Sequence, residues 1–412
     1  MPGPTSEIAL RAGVSAPIGE PQGRWVILAI LAVAQILGMS LWFTASATSA
    51  QLAALWNLDS AGAAGLTTAV QLGFVAGTAL AALLNLADLI PARAYLAVSA
   101  VAAAAANAAL LAATGPGTAL VSRFLTGFFL AGVYPPAMKM AATWFRASRG
   151  LAIGTVVGAL TVGKALPYFI NALSTVDYRF VVVTTTLGAV AAAVLIAAAY
   201  RDGPFPFPSR PFSLRLVAAI VRHRPTRLAI GGYLGHMWEL YAMWALVALF
   251  FRAVFLAHGY DATQATAFGT LVAFAAIAAG GAGSVLAGAW ADRLGRERIT
   301  IWSMLTSGAC SLIIGWLIAA PIWLLVAIAL VWGFAIVADS AQFSALVTEV
   351  APAHAVGTAL TLQTSLGFLL TAFSIWACAE VSESLGWGPA FSMLALGPVF
   401  GIRQMMRLRR AR

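Results

Sequence analysis

Residues 288–298 read GAWADRLGRER, a compact charged stretch set between two long apolar runs. Each flanking run has roughly the 20 residues a helix needs to cross a bilayer, so the stretch reads as a very short connection between two spanning helices. Its three arginines, Arg293, Arg296 and Arg298, place that connection in the cytoplasm. The surrounding chain agrees. Of its 412 residues 61% are hydrophobic and only 9% charged, against about 25% charged in a soluble domain. The apolar runs are long, rich in Ala, Leu, Val and Gly, and lack the alternation of barrel strands, so the expected class is an all-α integral membrane protein.

A net charge of +10 could suggest nucleic acid, but its placement excludes that partner. Of the 24 basic residues, all but five fall in segments assigned to one side of the membrane. Arg179 and Arg252 lie on the other side, and Arg123, Lys139 and Lys164 lie within helices. The excess is therefore topological, and the partner it implies is the lipid bilayer. Cys310 and Cys378 sit in apolar spans without metal-ligand spacing and read as small core residues. The run GALTVGKA, residues 158–165, approaches a phosphate-binding loop but ends in Ala165 where a magnesium-binding hydroxyl belongs, with no strand before it. No hydrolase or zinc-protease signature is present, so neither an enzyme nor a cofactor is expected.

Hydropathy and breakers divide the chain into a polar tail at 1–24, six spans within 25–200, a basic proline-rich linker at 201–226, six spans within 227–403 and a basic tail at 404–412. The first span, from Trp25 to about Thr48, is too long for a signal-peptide core and is expected to remain. In the linker, LRLVAAIVRHR places apolar residues and arginines at helical spacing, as a helix lying along the cytoplasmic lipid surface does. Tryptophans 25, 56, 144, 290, 323 and 387 fall near span ends, where interfacial anchors belong. An even number of spans returns both termini to the cytoplasm, and a plasma (inner) membrane location and a monomer are expected.

The order within 288–298, Gly288, then Asp292-Arg293, then Gly295-Arg296 and Arg298, resembles the signature loop of the major facilitator superfamily of transporters. A degenerate copy, LNLADLIPAR at 84–93, follows the second span, with Asp88 matching Asp292 and Arg93 a later base, while Leu84, Leu89 and Pro91 replace the glycine, arginine and glycine. The resemblance implies twelve transmembrane helices in two pseudo-symmetric six-helix halves, working by alternating access. It implies a gating role for Gly288, Asp292, Arg293, Gly295, Arg296, Asp88 and Arg93. By the same similarity Arg123, with Gly127 four residues on, occupies the place of a second motif associated with proton coupling. The superfamily's antiporter motif is not recognisable in the fifth span, which argues against proton-driven drug efflux.

Ionisable residues at membrane depth cost about 2.5–3.5 kcal/mol each by insertion scales and are functional candidates. Lys164, mid-way along the fifth span, requires an anion, either a carboxylate from another helix or the substrate. Lys139, nearer a span end, can snorkel to the interface. In the seventh span GGYLGHMWELYAMW, residues 231–244, puts Glu239 near mid-depth with His236 one turn before it. A carboxyl in such surroundings can load and release a proton near neutral pH. Asp339 begins a polar cluster in the tenth span and matches, by the internal repeat, the vicinity of Tyr134, where Pro135-Pro136 breaks the fourth helix. Gln363 in the eleventh span completes the candidates. Substrate contact is expected from Lys164, Tyr134, His236, Glu239 and Gln363, and proton coupling from Glu239, Asp339 and Arg123. The expected function is proton-coupled uptake of a small organic anion. Proton-driven efflux of a metabolite or drug is the alternative within transport, and a non-transporting sensor on the same fold the alternative outside it.

Overall fold

In lipid every backbone N–H and C=O must be bonded within its own segment, and the apolar runs accordingly form helices. The computed structural model describes residues 21–145, 149–173, 177–205 and 213–411, without the side chains of Ser60, Ala87, Asp88, Arg149, Leu214 and Asp292. Among the described residues ten helices are long and apolar enough to cross a bilayer: Ala61–Leu83, Ala92–Ala112, Pro116–Ala142, Gly150–Leu173, Tyr178–Ala199, Arg224–Ala257, Ala262–Ala291, Arg296–Leu317, Ile322–Val350 and Ala353–Ser384. These are the second to eleventh expected spans. An opening segment that begins with Arg24–Met39 and a closing one that ends with Leu396–Ala411 make an arrangement that fits twelve.

Three of these starts share a device. Asp59 accepts from Gly62 N at 2.7 Å, Asp177 from Arg179 N at 2.8 Å, and Asp261 from Thr263 N and Gln264 N at 2.9 and 2.8 Å. Each carboxylate caps the free amides and the positive dipole end of a helix. All three lie at the ends opposite the basic connections, which sharpens the charge asymmetry across the membrane.

Several boundaries differ from the expected ones. The first span is not one helix: Arg24–Met39 stops, residues 40–43 turn, and Thr44–Ala47 and Ser49–Trp56 follow. The tenth breaks at Asp339, between Ile322–Ala338 and Ser340–Val350. The fourth breaks after Leu130 and resumes at Tyr134, where Pro135 and Pro136 lack the amide donors a continuous helix needs. The final helix runs on to Ala411, with Met405 and Leu408 buried, so the expected tail is an extension of the twelfth span. In the linker Leu214–Arg222 is helical, but its Ile220 is buried against the protein.

The charged connection shrinks to one residue. The eighth helix continues through Leu294, Gly295 turns the chain at φ 90°, and the ninth helix starts at Arg296. Only glycine adopts that left-handed φ without strain. Most of the 288–298 stretch is therefore helix end, not loop.

The first six spans pack mainly on one another, as do the last six. Between these sets the main contacts pair the fifth span with the eighth and the second with the eleventh. Gly283 lets the eighth span approach the tenth, since a Cβ there would lie 2.2 Å from the Phe334 carbonyl oxygen.

Candidate functional site

Lys164 lies where the two sets of helices meet. Its side chain is 2% exposed, and its Nζ donates to the hydroxyl of Tyr241 from the seventh span. Aromatic rings surround the ammonium: Trp42 at 3.9 Å, Tyr241 at 4.7 Å, Trp244 at 5.6 Å and Phe368 at 5.9 Å from ring centroid to nitrogen. Phe74 packs on Trp42 and Phe368 at 5.0 and 4.5 Å. Tyr168, one turn beyond Lys164, donates to the Trp244 carbonyl at 2.7 Å, a second bond from the fifth span to the seventh. Among the described residues no carboxylate stands within ion-pair distance of Lys164. Ring faces attract a desolvated cation but carry no countercharge, so an ammonium here has no counterion among the described residues.

The box depends on the break in the first span. Turning at residues 40–43 carries Trp42 and Phe43 towards the fifth and seventh spans and frees the carbonyls of Leu41 and Trp42. Arg123 satisfies both, its Nη2 donating at 2.6 and 3.1 Å, while Nη1 donates to Asn107 Oδ1 at 2.6 Å. Freed carbonyls inside a membrane need such a partner. Arg123 is fully buried, and no acid faces it among the described residues, so its geometry is that of a cap on the broken helix.

Glu239, His236 and Asp339 form a second cluster on another face of the seventh span, directed into the later helices. Glu239 Oε1 accepts from Trp332 Nε1 at 2.7 Å and Oε2 from Ser307 Oγ at 2.8 Å. His236 Nδ1 lies 2.8 Å from Asp339 Oδ1, within ion-pair distance though not aligned as a hydrogen bond. Its Nε2 is bonded to Ser340 Oγ at 2.8 Å. All three ionisable residues are buried, and the imidazole bridges the two sides of the helix break at Asp339. The arrangement can hold a proton on a carboxyl or on the imidazole, because the Ser307 and Ser340 hydroxyls donate or accept as required.

The expected substrate contacts are thus divided. Lys164 stands in the aromatic box, whereas His236 and Glu239 touch neither Lys164 nor its rings. Gln363 is buried, its Nε2 3.4 Å from Ser344 Oγ and its Oε1 without a partner. Tyr134 opens the helix after the fourth-span break and is half-buried. Among the expected gating residues, Gly288 is buried near Gly150 of the fifth span, and Arg93 and Arg293 are exposed. Arg296 donates from Nε to Glu349 Oε1 and from Nη1 to Gln342 Oε1, both at 2.7 Å. The Asp88 and Asp292 side chains lie outside the described residues. Sequence reasoning missed Trp42, Trp244, Tyr241, Phe368 and Trp332. It also missed Gln71, a fully buried amide on the second span with neither polar atom partnered. A polar residue inside an apolar run is the signal that would have found it, as it found Gln363.

The sequence matches the family model described as Major Facilitator Superfamily over residues 23–375. No curated protein matches it at the sequence level. Among solved structures the fold is similar to a mutant form of the nucleoside transporter NupG, with a TM-score of 0.68 and 15% identity, covering 93% of this chain and 99% of that one. It is also similar to the human organic anion transporter MFSD10 (TETRAN), at a TM-score of 0.65 and 14% identity, covering 93% and 100%. At such identities the likeness is one of fold.

Proposed function

The chain belongs to the major facilitator superfamily, and on that ground we propose that it is a secondary transporter for proton-coupled uptake of a small organic anion. The observation that carries the proposal is Lys164, an ammonium buried among aromatic rings with no acid beside it among the described residues. An ion removed from water needs a counterion or hydrogen-bond acceptors, and a substrate anion supplies both. The fold neighbour that transports organic anions is consistent with this reading. Residues 25–200 and 227–403 act as the two moving halves, with Lys164 on one and Tyr241 on the other. The arginine-rich connections and both termini face the cytoplasm of a plasma (inner) membrane.

The Glu239 cluster supplies the coupling. A monovalent anion entering against an inside-negative potential costs about 2.3 kcal/mol per 100 mV, and one accompanying proton cancels that term. Each carboxylate oxygen of Glu239 accepts one bond, and protonation turns one of them into an O–H donor that needs an acceptor. Ser307 can rotate its hydroxyl to accept, whereas the Trp332 indole can only donate. Proton loading is thereby linked to a change between the seventh and ninth spans, with the His236–Asp339 pair next to it.

Uptake into proteoliposomes tests the proposal, using a panel of organic anions and cations with pH gradient and voltage varied separately. Accumulation of an anion driven by an inward proton gradient is expected. Transport confined to cations, or driven only by an outward exchange of protons, would instead establish the efflux alternative.

A further inference from the structure

Resting on the organic-anion proposal, we infer that the Lys164 box is built for an aromatic monocarboxylate, and that the Tyr241 hydroxyl holds the carboxylate's place until the substrate arrives. Charge sets the valence. Lys164 contributes one positive charge, and the other buried cation of this region, Arg123, has both its Nη atoms committed to Asn107, Leu41 and Trp42. A second carboxylate on the ligand would find only the single buried Nε–H of Arg123, whose Nη donors are taken.

Unused donors set the head group. The Lys164 ammonium carries three N–H groups and has one acceptor, Tyr241. The indole N–H groups of Trp42 and Trp244, whose rings flank that ammonium, are buried and have none. A carboxylate, with about four lone-pair sites on two oxygens, fits such an excess of donors. The walls set the body of the ligand. Trp42, Phe74, Tyr241, Trp244 and Phe368 lie with neighbouring ring centroids 4.5–5.7 Å apart, and another flat ring gains offset or edge contacts with them beyond area burial.

Tyr241 has a different part. Its hydroxyl is the acceptor that ties the lysine of the fifth span to the seventh. An ionised carboxylate is a stronger acceptor than a phenol, so the substrate displaces Tyr241 from Lys164 and removes one of the two bonds between the spans, leaving Tyr168 to Trp244. Binding and release of the closed contact are then one event.

Calorimetric binding to the full-length protein in nanodiscs tests this with benzoate, cyclohexanecarboxylate, phthalate and benzylamine. Benzoate is expected to bind about tenfold more tightly than cyclohexanecarboxylate, and more tightly than the dianion phthalate, with benzylamine silent. Lys164→Gln should abolish benzoate binding, whereas Tyr241→Phe should tighten it by up to about tenfold, because the competing acceptor is gone. Equal, Lys164-dependent affinity for benzoate and cyclohexanecarboxylate overturns the aromatic preference and leaves the organic-anion proposal standing. Binding of benzylamine and of no carboxylate overturns both. Tyr241→Phe losing benzoate as fully as Lys164→Gln overturns the placeholder role. Should Lys164→Gln fail to fold, the ligand series on the parent protein and Tyr241→Phe still decide.

Discussion

At the scale of single residues, Lys164 sets stability against function. A buried cation without a counterion costs free energy that a methionine of similar length does not, so Lys164→Met should raise the thermal midpoint while removing anion binding. A fall in the midpoint, read by thermal unfolding in detergent, would mean that the lysine holds a structural ion pair. Glu239 makes the complementary prediction. Glu239→Gln keeps an acceptor for Trp332 or Ser307 but cannot release a proton, so uptake driven by a pH gradient should vanish while substrate exchange between equal pools persists. Gradient-driven accumulation surviving in that variant would move the coupling proton to the His236–Asp339 pair. Both charged residues were legible because charge is scarce in this chain and expensive in lipid. Their partners were not. Trp42, Trp244 and Trp332 are among the seven tryptophans left once the six near span ends are assigned to the interfaces, but hydropathy does not say which face of a helix turns inward. The same blindness grouped Glu239 with Lys164 among the substrate contacts, when residues 239 and 241 of the seventh span point to different neighbours.

At the scale of elements, the interruptions decide where the site stands. The break in the fourth span announced itself through Pro135 and Pro136, which cannot donate to a helix. The break in the first span has no such signal, since LGMSLWFTAS at 37–46 contains neither proline nor an internal glycine pair. It is maintained from elsewhere in the sequence: Arg123 donates to Leu41 and Trp42 across 82 and 81 positions, a long-range contact no local pattern encodes. Arg123→Met should therefore act through structure. It leaves the Trp42 carbonyl and the Asn107 amide oxygen without the Arg123 donor, at about 1–3 kcal/mol each, and the Leu41 carbonyl with only Thr44 Oγ1 at 3.2 Å, and should lower the thermal midpoint sharply. Because Trp42 rides on the same turn, anion affinity should fall with it, and the pH dependence of whatever transport remains should be unchanged. A variant of parental stability with an altered pH profile would show instead that Arg123 takes part in coupling.

At the scale of the whole molecule, one kind of contact joins the two sets of helices and another braces the second set from within. Near the site are the bonds from Lys164 to Tyr241 and from Tyr168 to Trp244, which a substrate can exchange for its own. At the ends that carry the basic connections, and within the second set alone, Arg296 ties the start of the ninth span to Glu349 and Gln342 near the end of the tenth. The motif's glycine, acid and bases were plain in the sequence, but Glu349 was not, because it lies 53 positions away and carries no pattern of its own. If this tie steadies the cytoplasmic closure, removing it shifts the balance between the two access states without touching the site. The pair is partly exposed, at 23% and 40%, so its contribution is discounted to about 0.5–1 kcal/mol, a two- to fivefold change in the ratio of states. Spin-label distances across the ends of the fourth and tenth spans nearest the basic connections should accordingly broaden towards longer separations in Arg296→Gln. The same shift is expected in Glu349→Gln. Since both variants delete the Arg296–Glu349 pair, the double variant should shift by less than the sum of the two single ones, and raised salt should move the parent part of the way because exposed charges are screened. Identical distributions in parent, single and double variants would show that the connection shapes the fold at this corner without gating it.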